Sequence, residues 1–324
     1  MSLLAACGVG DAKADVRTAQ ELADRLFPGQ LTVIGSRSLF PQDTGSEVTF
    51  AVRGDPDAIV RLAVRSDKTD IDQKMRDAVD LGRAQAAELR TALKVFRDCG
   101  HEIVGIGEIP FVNTSFNLTV WIASPITNTT VTRLIGSLDD CVVKWRDARS
   151  NSESPWRSKV GNITLNILSA QQPPTLPITT GPTYQKLTDR SLAEVLAGSP
   201  HHSGLITPGR SLGDVLAPAM SFDEGQKFGA AMETAARDWL AAAILTPKPR
   251  LGRYLSTGNR LLPGTADKMR TYVTVCFSPS EKLPCPDEGA IALTVDLATK
   301  MTTDFTLVRT IRDKDGKYTY PIER

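Results

Sequence analysis

The sequence lacks a surplus of charge and any long apolar run. Its 324 residues include 38 lysines and arginines against 37 aspartates and glutamates, a formal net charge of +1. Binding to a phosphate backbone needs a basic surplus or a clustered basic face, so we do not expect nucleic acid as a partner. No apolar stretch approaches the roughly 20 residues that a helix needs to span a bilayer, so a membrane would have to be reached through an anchor.

Histidine is also scarce, and the usual catalytic motifs are missing. The three histidines are His101, His201 and His202, and a Ser-His-Asp or Cys-His mechanism could draw only on them. We expect His101 to lie at the end of a long helix as a surface cap. His201 and His202 are adjacent, but no nearby carboxylate or cysteine completes a metal site. The sequence contains no Gly-x-Ser-x-Gly elbow, Walker loop or dinucleotide-binding glycine motif, so we predict neither a metal nor a cofactor.

One catalytic signature does occur, at residues 43–46. Asp43-Thr44-Gly45-Ser46 matches the aspartic-protease signature. That chemistry needs two carboxylates that share a proton, and the sequence has no second copy. These residues therefore favour a polar turn.

Cysteine occurs five times, an odd number, and no Cys-x-x-Cys spacing is present. The first cysteine follows small residues, in Leu4-Ala5-Ala6-Cys7-Gly8. This stretch resembles the lipobox of bacterial lipoproteins, in which a signal peptidase cuts after two small residues and the cysteine sulfur carries a diacylglycerol. The resemblance implies that Cys7 is the lipid-attachment site and that the protein lies on the extracytoplasmic face of a bacterial cell membrane. A full signal peptide has a basic and an apolar region, so we expect the natural start to lie upstream of Met1. A chance Ala-Ala-Cys is the alternative.

The other four cysteines can pair in three ways. Two lie in each half of the chain, so the pairing that respects two domains is Cys99–Cys141 and Cys276–Cys285. Disulfides form in oxidising compartments such as the outer side of a bacterial membrane. The alternative is four reduced, buried thiols in a cytosolic protein.

The hydrophobic pattern predicts two α+β domains, each with helices packed on a mostly antiparallel sheet. Residues 1–13 are a lipobox remnant and a small polar tether, and 14–170 form the N-terminal domain. Residues 171–221 begin with the proline-rich QQPPTLPITTGP and are predicted to be a linker with two short helices. Residues 222–324 carry one helix followed by antiparallel strands, an element order that resembles nuclear-transport-factor-2-like or cystatin-like domains.

The predicted linker contains an internal repeat. RSLAEVLA at 190–197 recurs as RSLGDVLA at 210–217, with six of eight positions identical. Each copy is predicted to be a short amphipathic helix with Ser191 or Ser211 as its N-cap. As a pair, they would be docking helices for a partner protein or for the two domains. Coincidence between two helices that pack in similar grooves is the alternative.

Together these features favour a lipid-anchored cell-envelope protein that binds or scaffolds and catalyses no reaction. The alternative is an extracytoplasmic enzyme whose site lies in a cone-shaped apolar pocket of the C-terminal domain. Periodicity makes Glu233, Asp296 and Arg309 the charged residues best placed to face such a pocket. A deep pocket with convergent ionisable groups would favour the enzyme, and a filled cone would favour the binding protein.

Overall fold

The computed structural model of the protein describes residues 12–39, 44–65, 71–106, 111–112, 115–151, 160–168, 190–252, 257–277, 288–316 and 318–321. Five α-helices and three sheets lie within these residues. Helices packed on largely antiparallel sheets confirm the predicted α+β class.

The first sheet is a three-stranded antiparallel meander near the N-terminus. It consists of β1 (Leu31–Ser38), β2 (Ser46–Val52) and β3 (Asp55–Val64), in that order. Buried and half-buried residues alternate along β2, which is the period of a strand with one face in a core. Helix α1 (Ala12–Leu26) and the first half of α2 (Asp72–Asp98) pack against that face, with Leu22, Phe50 and Met75 in the shared core.

The second sheet occupies the middle of the chain and contains one parallel pair. Its strands are β4 (Ile103–Ile106), β6 (Ser115–Ala123), β7 (Val160–Leu168), β8 (His201–Ile206) and β9 (Ala217–Pro218), in that order, with β5 (Phe111–Val112) paired to β6. Strands β6 and β7 are parallel, whereas the other pairs are antiparallel. A parallel pair needs a crossover connection, and helix α3 (Val131–Ser150) lies in that connection.

Helices α2 and α3 pack together over the second sheet. A disulfide joins Cys99, at the end of α2, to Cys141 of α3. Arg149 of α3 donates from Nε to Oε1 of Glu88 in α2 over 3.3 Å, and both side chains are buried. The two helices are therefore joined by one covalent and one ionic contact inside the core.

The third sheet forms the C-terminal part of the protein. Its strands are β10 (Arg250–Leu251), β12 (Lys268–Cys276), β13 (Gly289–Asp296) and β14 (Thr302–Val308), in that order, with β11 (Thr257–Leu261) also paired to β12. Helix α5 (Phe222–Ala242), which follows the short helix α4 (Arg190–Ala197), begins at a capping box formed by Ser221 and Glu224. Apolar residues of α5 pack on one face of this sheet, and a second apolar cluster contains Tyr318 and Tyr320 near the end of the chain. The resemblance of this unit to the two named domain types stays a prediction.

The segment 190–221, predicted to belong to a linker, is built into the second sheet. Strand β8 pairs with β7 along six residues, and β9 pairs with β8. The first repeat copy is helix α4, but the second forms only a 3₁₀ turn, Leu212–Asp214, after which the chain enters β9. Residues 169–189, including the proline-rich stretch, lie outside the described residues, so the predicted domain boundary stays a prediction.

Three leucines of the repeat copies pack inside the protein, whereas Val195 of the first copy is exposed. Leu196 of α4 lies in a small cluster with Trp121 and Leu168, whereas Leu212 and Leu216 are fully buried in the core under α3. These contacts favour the intramolecular alternative for the repeat, in which the two copies dock parts of one chain.

Candidate functional site

Backbone and side-chain hydrogen bonds join the second sheet to the third. The amide of Leu261 in β11 donates to the carbonyl of Leu216 over 2.7 Å. Asn128, just before α3, accepts from the amide of Ala266 over 2.6 Å and donates to a carboxylate oxygen of Asp267 over 3.0 Å. These bonds fix strand β11 beside β9 and the 3₁₀ turn.

A cleft of about 460 Å³ lies at this junction. Its walls come from the end of β8, the turn after it, the 3₁₀ turn, β11 and the last described residues of the chain: Leu205, Thr207, Arg210, Asp214, Val215, Gly258, Asn259, Arg260, Thr319 and Tyr320. A second cleft of about 330 Å³ extends from Asn259 towards β9 and the start of α5. Volumes of this size accommodate small organic ligands.

Gly258 shapes one wall of the larger cleft. Its φ is +66°, a region that favours glycine, and an added Cβ would lie 2.6 Å from Cδ2 of Tyr320. The Tyr320 ring therefore packs directly on the backbone of β11. The centroid of the Tyr320 ring also lies 4.6 Å from that of the Tyr272 ring, so the buried Tyr272 packs against Tyr320 and holds it in the cleft wall.

Arg260 is the most unusual residue of the cleft. Only 5% of it is exposed. Its Nη2 donates to the hydroxyl of Tyr272 over 2.8 Å and to the carbonyl of Pro321, and its guanidinium carbon lies 5.6 Å from the centre of the Tyr272 ring. Both acceptors are neutral, although buried charges are normally paired with opposite charges.

Two further charged residues line the cleft. Arg210 is exposed, and its side chain makes no hydrogen bond or ion pair within the described chain. Asp214 accepts from the amide of Ser211 over 3.1 Å as part of the capping box. Behind it, Asp139 of α3 accepts from the amide of Leu212 over 2.6 Å. Burial raises the pKa of Asp139, and the nearby charge of Asp214 raises it further.

The first predicted disulfide is confirmed. Cys99 and Cys141 are bonded, with their Cα atoms 6.1 Å apart, and Cys141 is fully buried. Cys276 is fully buried in β12, but Cys285 lies outside the described residues, so its pairing with Cys276 stays a prediction. Cys7 also lies outside the described residues, and its lipid attachment remains a prediction too.

The three histidines make separate local contacts. Nε2 of His101 lies 2.8 Å from the hydroxyl oxygen of Ser137 in α3, and burial lowers the pKa of His101. His201 contacts the carbonyl of Ser199 and the Trp121 ring. Burial and the neighbouring His201 lower the pKa of His202 to about 4. No group of three or more histidine, cysteine or acidic side chains suited to a metal occurs in the part of the chain that the structure describes.

The three charged residues considered for an enzyme site are not brought together at either described cleft. Glu233 forms an ion pair with Arg237 along α5. Asp296 accepts from the amides of Ala298 and Thr299 in a turn, which lowers its pKa. Arg309 stacks near the Phe277 ring, 5.6 Å from its centre. Each of the three acts locally in the described structure.

Comparisons with known proteins give no relative: no family model, curated protein or solved structure matches the chain. Across the described ranges, no helix combines the length and apolar character needed to cross a membrane.

Proposed function

We propose that this protein is a lipid-anchored binding protein of the bacterial cell envelope that catalyses no reaction. Lipid on Cys7 holds it at the membrane, as the lipobox resemblance implies, and the cleft between β8, the 3₁₀ turn and β11 receives its ligand. The observation that carries the binding function is this cleft, which lies at a junction fixed by hydrogen bonds that Leu216 and Asn128 accept.

The disulfide supports the location outside the cytoplasm. Cys99 and Cys141 lie at the core contact between α2 and α3. Cytosolic reductants keep most thiols reduced, whereas secreted and envelope proteins retain their disulfides.

The side chains around the cleft support binding over catalysis. Asp214 is held in a capping box, and none of the described residues that line the cleft is a histidine. General acid–base chemistry needs a titratable group that reaches the substrate with a suitable pKa. Threonine, asparagine and arginine are instead residues that orient and hold a ligand.

A binding screen with a cleft-blocking variant tests the function. The full chain is combined with a collection of amino acids, sugars, nucleotides and organic acids, and saturable rises in melting temperature are recorded. We expect at least one class to bind, to be recovered chemically unchanged, and to lose binding in Thr207→Trp, which places an indole in the cleft. Thr306→Trp, at an exposed position of β14 that lines neither cleft, is the matched control.

Chemical conversion of the bound compound would instead support an enzyme. Equal binding by wild type and Thr207→Trp would place the ligand elsewhere. Cell fractionation completes the test, because Cys7→Ser should move the protein from the membrane to the soluble fraction.

A further inference from the structure

We infer that the larger cleft binds a small organic anion through a carboxylate or phosphate group, with Arg260 as its principal contact and Arg210 as a second one. This inference rests on the proposed binding function and names the ligand class of that same cleft. Its starting point is an arginine that is buried in a cavity wall and has no acidic partner among the residues that the structure describes.

The hydrogen bonds of Arg260 leave much of its guanidinium unused. Arginine has five N–H donors arranged in a planar fork. Nη2 uses its two on the hydroxyl of Tyr272 and the carbonyl of Pro321. Nε and Nη1 have no acceptor within the described chain, and no carboxylate there lies within ion-pairing distance. Nε and Nη1 lie on different edges of the guanidinium, and each can donate a charge-assisted hydrogen bond to an oxygen of a carboxylate or phosphate.

The surroundings hold Arg260 in place before any ligand arrives. Tyr272 lies on the neighbouring strand β12 and is itself almost completely buried. The Pro321 carbonyl fixes Nη2 from the other side. A guanidinium held at Nη2 by two acceptors loses little conformational entropy when it binds an anion, which favours affinity.

The remaining lining residues indicate what surrounds the anionic group. Arg210 adds a second positive charge, and Asp214, the one acid among the described lining residues, is already bonded to the Ser211 amide. Leu205, Val215 and the Tyr320 ring supply apolar surface. A cleft of about 460 Å³ with both kinds of wall suits an organic molecule that carries one acidic group.

The test uses inorganic phosphate, benzoate and benzamide with the full-length protein at constant ionic strength. Benzamide has the shape of benzoate without its charge. We expect phosphate or benzoate to raise the melting temperature saturably, and benzamide to bind at least about tenfold more weakly than benzoate, since a hydrogen bond between charged groups is worth a tenfold or greater change in affinity.

Arginine variants identify the contact. Arg260→Gln should weaken binding of the anion about tenfold to hundredfold, and Arg210→Gln should weaken it less because Arg210 is exposed. Arg97→Gln, at an exposed position of α2 that lines neither cleft, should bind as wild type does. If Arg260→Gln does not fold, the Nε–Hε resonance of Arg260 in the wild-type protein should still shift on titration with the anion.

Any of three results would overturn the inference. They are no saturable rise in melting temperature with phosphate or benzoate up to about 50 mM, unaltered binding of the anion in both arginine variants, and no shift of the Arg260 resonance. Benzamide binding as tightly as benzoate would also overturn it, but would leave the cleft as a binding site. The test thereby separates an error in the inferred anionic ligand class from an error in the proposed binding function.

Discussion

Removal of the Cys99–Cys141 disulfide should destabilise the protein by a predictable amount. The two residues are 42 positions apart in the sequence. In the chain-entropy treatment, closing a loop of that length restricts the unfolded chain enough to stabilise the folded state by roughly 4 kcal/mol. The double variant Cys99→Ala/Cys141→Ala should lose this contribution, together with the packing of two sulfur atoms in the core under α3. For a unit of 150–250 residues, the loss corresponds to a fall in melting temperature of about 8–16 °C.

Urea unfolding followed by far-ultraviolet circular dichroism measures this loss. The comparison has four arms: wild type and double variant, each with and without dithiothreitol. Without reductant, the wild type should exceed the variant by roughly 4 kcal/mol, and reductant should remove most of that difference. Any effect of reductant on the variant reports a separate disulfide, such as the predicted Cys276–Cys285 bond. A difference below about 1 kcal/mol between oxidised wild type and variant would refute the reasoning.

Three further predictions concern the cleft and its supports. Gly258→Ala should lower the unfolding free energy by about 1–3 kcal/mol and displace the Tyr320 ring. The reasons are the positive φ of Gly258 and the 2.6 Å distance that an added Cβ would have from Cδ2 of Tyr320. Unchanged stability and unchanged Tyr320 resonances would contradict this packing. Asp139→Asn should keep an acceptor for the buried Leu212 amide and remove a carboxyl group whose pKa is raised by burial, so the unfolding free energy of this variant should equal or exceed that of wild type. Asp139→Ala should instead lose about 1–3 kcal/mol of unfolding free energy. Equal stability of the two variants would contradict the role of that hydrogen bond. The pKa of His202 is lowered from 6.5 to about 4 in the folded state. The contribution of neutral His202 to folding stability is therefore fully present above pH 6.5 and is lost as the pH falls through 4. At about 1.4 kcal/mol per pK unit, the stability lost is up to about 3 kcal/mol. Urea unfolding at neutral and acidic pH should show a smaller loss of unfolding free energy in His202→Gln than in wild type. Equal losses would mean that other groups cause the acid sensitivity.

Local periodicity in the sequence accounts for helices α2 and α3 and for the cysteine contact between them. Apolar residues recur at helical spacing along α2 and α3, and the stripes end at or include Cys99 and Cys141. Because both stripes face the core, the two sulfur atoms come together, and the predicted bond follows from the pattern. The regular alternation of buried and half-buried residues along β2 has the same physical ground.

Long-range pairing was the part that the sequence did not reveal. Strand β8 has the sequence HHSGLI, with no alternation of apolar and polar residues, so the prolines and glycines around it favoured a linker. Its place beside β7 is set by pairing with a distant strand, which local pattern does not encode. The parallel pairing of β6 with β7 is likewise a consequence of the α3 crossover.

The candidate cleft was missed for a related reason. Arg260 stands in an ordinary polar stretch, and nothing next to it signals burial. Arg260 becomes buried because Tyr272 and Pro321 pack around it and both accept hydrogen bonds from its Nη2. These two residues are 12 and 61 positions away in the sequence. The residues that the sequence did favour for a pocket, such as Asp296, satisfy their hydrogen bonds within their own turn. A buried arginine in a cleft is therefore a feature of tertiary structure alone.

The most direct test of the central claim is peptide mass spectrometry of the protein isolated from the membranes of its own cells, without reductant. The account predicts that the mature chain begins at Cys7 with a diacylglycerol on its sulfur, and that the Cys99 and Cys141 peptides are joined. A chain with an unmodified Cys7 thiol, or with Cys99 and Cys141 reduced in the cell, would contradict a lipid-anchored protein that works outside the cytoplasm.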